Sequence, residues 1–366
     1  MTAAQDSAQS RPAPGGESAP ALAPRPRPRL GFLGVGWIGR HRMQAVREHG
    51  VAEVAAIADP SRERREAALA AAPGAIGCEH LGQLLELPLD GLVIATPSAL
   101  HAEQCATALA RGLAVFCQKP LGRGAEETRR VVDAARAADR LLAVDLSYRH
   151  TAAMQRIREL VRSGCLGRPF AIDLVFHNAY GPDAPWFYDR AAAGGGCVID
   201  LGVHLVDLAL WLLDFPAVAA ATSRLYAGGE PLRPGDARVE DFAAAQLALE
   251  DGAVVRLCCS WHASAGRDAV IEASVFGTGG GAAMKNVGGS FYDFVAERFT
   301  GTRAEQLATA PDAWGPRAVI AWAEALAAGW RFDPAAEQLV AVARALDLIY
   351  QAHDRAHDLR VAGEVA

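Results

Sequence analysis

Gly34-Val35-Gly36-Trp37-Ile38-Gly39 constrains this chain more than any other stretch. It fits G-x-G-x-x-G, follows a short apolar run at 29–34 and opens a segment, 38–48, that reads as a helix. In that setting each glycine has a task. The first permits a tight turn, the second lets backbone approach a pyrophosphate, and the third allows a helix to pack closely on a strand. The helix N-terminus offers free N–H groups and a positive dipole end to the phosphates. Trp37 and Ile38 occupy the variable positions and are expected beside the same ligand.

The fingerprint predicts an acid about 20 residues on, at the end of the second strand. Asp59 stands 20 positions after Gly39. A carboxylate there accepts from both adenine-ribose hydroxyls and repels a 2′-phosphate, which favours NAD. Ser61, Arg62 and Arg64 follow at once. An arginine such as Arg64 could hold a 2′-phosphate, so NADP stays open.

From Arg29 the pattern alternates. Apolar runs at 29–34, 51–59, 91–96, 113–117 and 141–145 read as strands; 38–48, 61–71, 101–111 and 125–138 read as helices, the second capped by Ser61. Alternating β and α units imply a parallel, doubly wound Rossmann sheet with right-handed crossovers. Past residue 150 the pattern changes. A helix at 152–163, a strand at 170–177 and a helix at 200–213 precede long strands at 217–226, 241–250, 253–262 and 268–276. Asp251-Gly252 marks a hairpin tip. These strands are expected to form a large, mostly antiparallel open sheet in a second α/β domain. Helices at 315–328 and 334–352 follow, the last expected to pack back on the first domain.

The 366 residues suit about two domains. The expected boundaries are a disordered Pro/Ala/Ser-rich tail at 1–28, a dinucleotide-binding domain at 29–150 and a substrate-binding and oligomerisation domain at 151–366. A net charge of −6 argues against broad nucleic-acid affinity. No apolar run is expected to span a bilayer, and the first residues lack the apolar core of a secretory signal. The seven cysteines form no CxxC pair and no zinc spacing, so they read as reduced thiols in a cytoplasmic protein.

Three segments point to chemistry. Thr96, Pro97 and His101 follow one buried strand, and Gln118-Lys119-Pro120 follows the next; carboxyl ends of parallel strands form the ligand crevice. A lysine there can polarise a hydroxyl as hydride leaves. In Gly194-Gly195-Gly196-Cys197-Val198-Ile199-Asp200-Leu201-Gly202-Val203-His204, Asp200 and His204 are four apart, hence on one helical face as base and orienter, with Asp207 nearby. No third ligand suggests a metal, and none is expected. Tyr148, Arg149, Trp186, Phe187 and Tyr188 are candidates to line a sugar pocket, with His177 and His262 as weaker ones.

Together, Gly34–Gly39, ATPSALH (95–101), QKP (118–120), YR (148–149), SGCLGRP (163–169), GGGCVIDLGVH (194–204) and VEDFAAAQLALEDGA (239–253) resemble the Gfo/Idh/MocA family. The resemblance spans about residues 29–360. It implies that Lys119 is the lysine of the family's EKP motif, Asp200 the substrate-binding aspartate and His204 the catalytic histidine. Gln118 departs from the usual glutamate. The implied activity is hydride transfer between a sugar or cyclitol hydroxyl carbon and the nicotinamide of NAD(P). Alternatives are NAD-dependent glycoside cleavage through a keto sugar, or a non-catalytic NAD-binding regulator. The family also implies a homodimer or homotetramer formed through the second sheet.

Overall fold

The computed structural model describes residues 26–364, with side chains to residue 357. The tail expected at 1–28 lies outside the described residues, apart from its last three.

The first sheet holds six parallel strands: β1 (Arg29–Leu33), β2 (Glu53–Ala58), β3 (Ile76–Cys78), β4 (Gly91–Ile94), β5 (Ala114–Cys117) and β6 (Leu142–Val144). Their order is β3-β2-β1-β4-β5-β6. β4 and β5 are buried throughout, as expected of apolar runs covered by helices on both faces. The helices of this half are α1 (Trp37–His49), α2 (Arg62–Ala71), α3 (Leu81–Leu84), α4 (Ser98–Ala110) and α5 (Ala125–Ala138). Strand order reverses beside β1, which opens a crevice at the carboxyl edge between β1 and β4. Strand β3 was not expected. Its three residues are too few for a pattern, and two of them are exposed.

After α6 (Ala152–Arg162) the chain builds the second sheet, interrupted by α7 (Arg190–Ala193) and α8 (Val203–Leu212). Its strands are β7 (Pro169–Asn178), β8 (Val218–Ala227), β9 (Glu230–Pro231), β10 (Phe242–Leu249), β11 (Val254–Ser260), β12 (Ala269–Gly277), β13 (Gly280–Asn286), β14 (Phe294–Thr300) and β15 (Arg303–Ala308). The order is β15-β14-β13-β12-β7-β11-β10-β8-β9, antiparallel except for β7 on β11. Burial along β12 alternates, so one face is core and the other is open. Strands β13 to β15 went unpredicted, because their glycines, alanines and charged residues do not alternate.

The helix expected at 200–213 begins differently. Val198–Gly202 form a π-turn, and α8 follows, buried at every residue. The helical stretch Arg190–Leu212 is apolar enough by length and composition to cross a membrane, contrary to expectation, yet 94% of that window is buried inside the protein. It is a core helix, apolar all round because protein covers all its sides.

Two further helices close the chain, α9 (Arg317–Ala327) and α10 (Glu337–Glu364). Both reach the first sheet, where only the second was expected to. In α9, Val319, Trp322 and Ala323 join the core beneath β1 and β5, with the Trp322 ring tilted against Phe116 at a centroid distance of 5.7 Å. In α10, Val340 packs with Leu109 and Val131 of the first half, and Leu346 and Ile349 pack in the second core.

Candidate active site

A crevice of about 1040 Å³ lies between the two sheets. The fingerprint forms one end. Gly34 has φ +84°, and a Cβ on it would stand 2.5 Å from Ala95 O. A Cβ on Gly39 would stand 2.0 Å from Gly34 O, so helix and turn touch there. Gly36 has nothing within 4 Å of its would-be Cβ and faces the crevice. That open space, beside the uncapped N-terminus of α1, fits a pyrophosphate. Trp37 and Ile38 line the same wall.

Asp59 is buried on the crevice floor. Its Oδ2 accepts from Val35 N at 2.9 Å and its Oδ1 from Ser61 N at 2.9 Å. The carboxylate is thereby held still, with lone pairs left for ribose hydroxyls. Arg64 lines this end and is exposed. Glu79 and His80 line it too and were missed, since they follow the unpredicted β3.

Thr96, Pro97 and His101 reach the crevice, but His101 works as a strut. Its Nε2 lies 2.7 Å from Thr96 O and its Nδ1 2.7 Å from Pro120 O, tying the turn after β4 to the loop after β5. Burial pushes its pKa down, and Lys119 adds to that.

Gln118 explains its own departure from the family glutamate. Its Nε2 donates to Asp145 Oδ2, which also accepts from Arg42 Nε at 2.7 Å. All three side chains are buried, Asp145 to 1% exposure. A glutamate at 118 would set one carboxylate against another. Arg42 and Asp145 were not foreseen, because nothing local marks a pair 103 residues apart.

Lys119 Nζ donates to Asp200 Oδ1 at 2.5 Å and to Asp200 O at 2.8 Å. Asp200 Oδ2 accepts from Trp261 Nε1 at 3.0 Å. Asp200 thus pairs with the lysine and not with His204. Both side chains nonetheless line the crevice, Asp200 from the π-turn and His204 from α8. His204 lines the crevice against the ring of Tyr148, with centroids 4.9 Å apart. Its Nδ1 is buried without a hydrogen-bond partner among the described residues, and burial first, then Lys119, holds its pKa well below the ordinary value.

The turn carrying Asp200 is braced by Glu240, which sequence reading missed. Glu240 Oε1 accepts from Gly196 N at 2.9 Å, Val198 N at 3.0 Å and the Tyr350 hydroxyl at 2.7 Å. The glycines of 194–196 are required here: a Cβ on Gly195 would stand 2.0 Å from the Tyr350 hydroxyl, and one on Gly196 1.9 Å from Glu240 O.

Trp186 and Phe187 line the crevice, stacked at 3.8 Å. Other expected lining residues do not reach it. Arg149 forms a bidentate pair with buried Asp207. Tyr188 packs edge-on against Trp261, and His177 is 2.7 Å from Ser260 Oγ. His262 faces a separate surface hollow.

Comparison with known proteins bears on the family and the fold. A model described as "Oxidoreductase family, NAD-binding Rossmann fold" matches residues 29–146, and one described as "GFO/IDH/MocA C-terminal domain" matches 154–283. Rhizopine catabolism protein MocA of Rhizobium meliloti is 36% identical over 185 residues, covering 50% of this chain and 56% of that protein. The chain thus spans little more than half the length of that relative. D-apiose dehydrogenase of Paraburkholderia graminis is 30% identical over 289 residues, 77% of this chain and 73% of that protein. The structure of levoglucosan dehydrogenase in complex with NADH superposes with a TM-score of 0.79 at 21% identity, covering 90% of this chain and 98% of that one. With both halves matched, the chain belongs to the Gfo/Idh/MocA family of oxidoreductases, and its first half is an NAD-binding Rossmann fold.

Proposed function

We propose that the protein oxidises a hydroxyl carbon of a sugar or cyclitol with NAD, or runs the reverse reduction. One observation carries this reading: Lys119, locked to Asp200, shares a crevice with unpaired His204 and with the open face of the glycine fingerprint. Gly36, the α1 N-terminus and Asp59 would hold the cofactor. Bound NAD supplies the hydride acceptor.

The protein's own part is to place and discharge the hydroxyl. Lys119 has three N–H donors, and two are spent on Asp200. The third is left for the reacting oxygen, where a fixed ammonium stabilises alkoxide character. His204 is kept neutral by burial, and a neutral imidazole carries one ring-nitrogen lone pair that can take the hydroxyl proton. Asp200 and Trp261 keep Lys119 from wandering.

Two wider features belong to the same reading. Val175 and Phe276 lie on the open face of the second sheet, which supports pairing of two copies across it. All seven cysteines are free, which supports a reducing, cytoplasmic setting.

The test is NADH absorbance with a panel of inositols, aldoses and glycosides, run with wild type, Lys119→Ala and His204→Ala. Net NADH with one substrate group, lost in both variants, is expected. Turnover by the variants at the wild-type rate would sink the assignment. Tightly held NAD with glycoside cleavage and no net NADH would redirect it to a transient-oxidation mechanism.

A further inference from the structure

Beyond Lys119 and His204 the crevice continues as a strip of rings. The His204 and Tyr148 centroids are 4.9 Å apart, Tyr148 and Trp314 4.9 Å, and Trp314 and Tyr292 6.5 Å. All four line the crevice. The strip begins buried and ends in solvent, with Tyr292 53% exposed at the rim.

That exposed ring is not on a loose loop. Trp314 Nε1 donates to Tyr292 O at 2.8 Å, and Tyr292 N donates to Ser290 Oγ at 3.1 Å. Asn286 Nδ2 holds Ser290 O at 2.9 Å. The hydrogen bonds fix the turn, so the half-exposed Tyr292 ring stands at the crevice mouth beside Trp314. A ring held ready at the mouth of a ligand crevice is preorganised for contact.

Charge narrows what it meets. The lysine and arginine side chains on the crevice wall are Lys119, Arg42 and Arg64. Lys119 is paired with Asp200, and Arg42 is buried on Asp145. Arg64 stands with Asp59 at the far end. Among the described residues, the cations beside the strip are already taken, Arg42 by Asp145 and Arg317 by Asp312, which leaves none free to receive a phosphate or carboxylate.

We propose that the strip from Tyr148 through Trp314 to Tyr292 is a second subsite, which takes an uncharged ring attached to the sugar being oxidised. The preferred substrate is then a glycoside, not a free sugar or a sugar phosphate. This rests on the sugar-oxidising reading above, and the experiment separates the two.

Phenyl and methyl β-D-glucopyranoside and glucose 6-phosphate are compared on the full chain. Initial NADH formation gives kcat/KM, and titration calorimetry on the NADH complex gives Kd. The phenyl glycoside is expected to exceed the methyl glycoside about tenfold in kcat/KM, through KM, and about tenfold in affinity, the worth of one good ring contact. The phosphate should be poorest in both. In Tyr292→Ala the phenyl-to-methyl ratio should fall to about one to threefold in both measurements. Equal constants for the two glycosides, or a ratio unchanged in Tyr292→Ala, overturn the subsite. If neither glycoside yields NADH, the oxidation reading loses support while the calorimetric ratio still decides the subsite. Best binding by the phosphate overturns it as well.

Discussion

Gln118→Glu should create a pH-dependent loss of stability that the structure allows to be sized. The amide donates to Asp145, whose 1% exposure denies water a part in the contact. Two ionised carboxylates at about 3 Å repel by about 5.5 kcal/mol at an effective dielectric of about 20. Protonating the new glutamate is cheaper. Raising it from an ordinary pKa of about 4.3 costs about 1.36 kcal/mol per unit, or about 3.7 kcal/mol at about pH 7. Arg42 beside Asp145 offsets part of this, so the expected loss is about 2–4 kcal/mol near neutrality. The sign follows from linkage. The folded-state pKa is raised, so the loss grows as pH rises above the unfolded value and shrinks to about 1 kcal/mol at about pH 5. There the protonated carboxyl can donate to Asp145 as the amide did. Denaturant unfolding across that pH range measures it. Gln118→Met serves as a pH-independent control, and Gln118→Glu with Asp145→Asn, which exchanges acid and amide, should recover most of the loss. A loss that is the same at both pH values, or larger in acid, would refute the reasoning.

Other outcomes follow from the same geometry. Gly36→Ala meets no protein atom, so it should melt like wild type yet bind NADH at least tenfold more weakly; Gly39→Ala clashes with Gly34 O and should lower the melting temperature as well. Equal melting of the two variants would contradict this. The acid limb of the oxidation rate should lie below pH 6.5, because burial lowers the His204 pKa and the rate is lost only as pH falls through that depressed value; an acid limb at or above the ordinary histidine value would count against His204 as proton acceptor. Glu240→Ala strands Gly196 N, Val198 N and the Tyr350 hydroxyl, so kcat should fall about a hundredfold while NADH affinity stays within about threefold; Glu240→Gln, which can still accept, should restore at least a tenth of the rate. Equal kcat in the alanine and glutamine variants would argue against a positioning role.

Five of the six strands of the first sheet were legible because they are continuous apolar runs punctuated by helices and glycines; β3 is too short and too exposed to show. Fingerprint, second-strand acid and strand-end motifs all follow from local spacing. What escaped depends on distance along the chain or on broken periodicity. Strands β13 to β15 lack alternation. The π-turn looks helical by composition, so Asp200 was expected to orient His204; its carboxylate is held by Lys119 and Trp261 instead. Arg42, Asp145, Glu240 and Tyr350 matter through partners 27 to 110 residues away, beyond the reach of local spacing. Gln118 was visible as a departure, but its reason is Asp145.

The return of the chain to its first sheet has a consequence for synthesis. Trp322 and its neighbours cover the face around Phe116, yet they leave the ribosome about 200 residues after β5 does. Until then the nascent cofactor half carries an uncovered apolar face. A gene cut after β6 would leave it so permanently. The two halves are therefore tied in inheritance: the first sheet keeps its covered faces only where the last two helices travel with it.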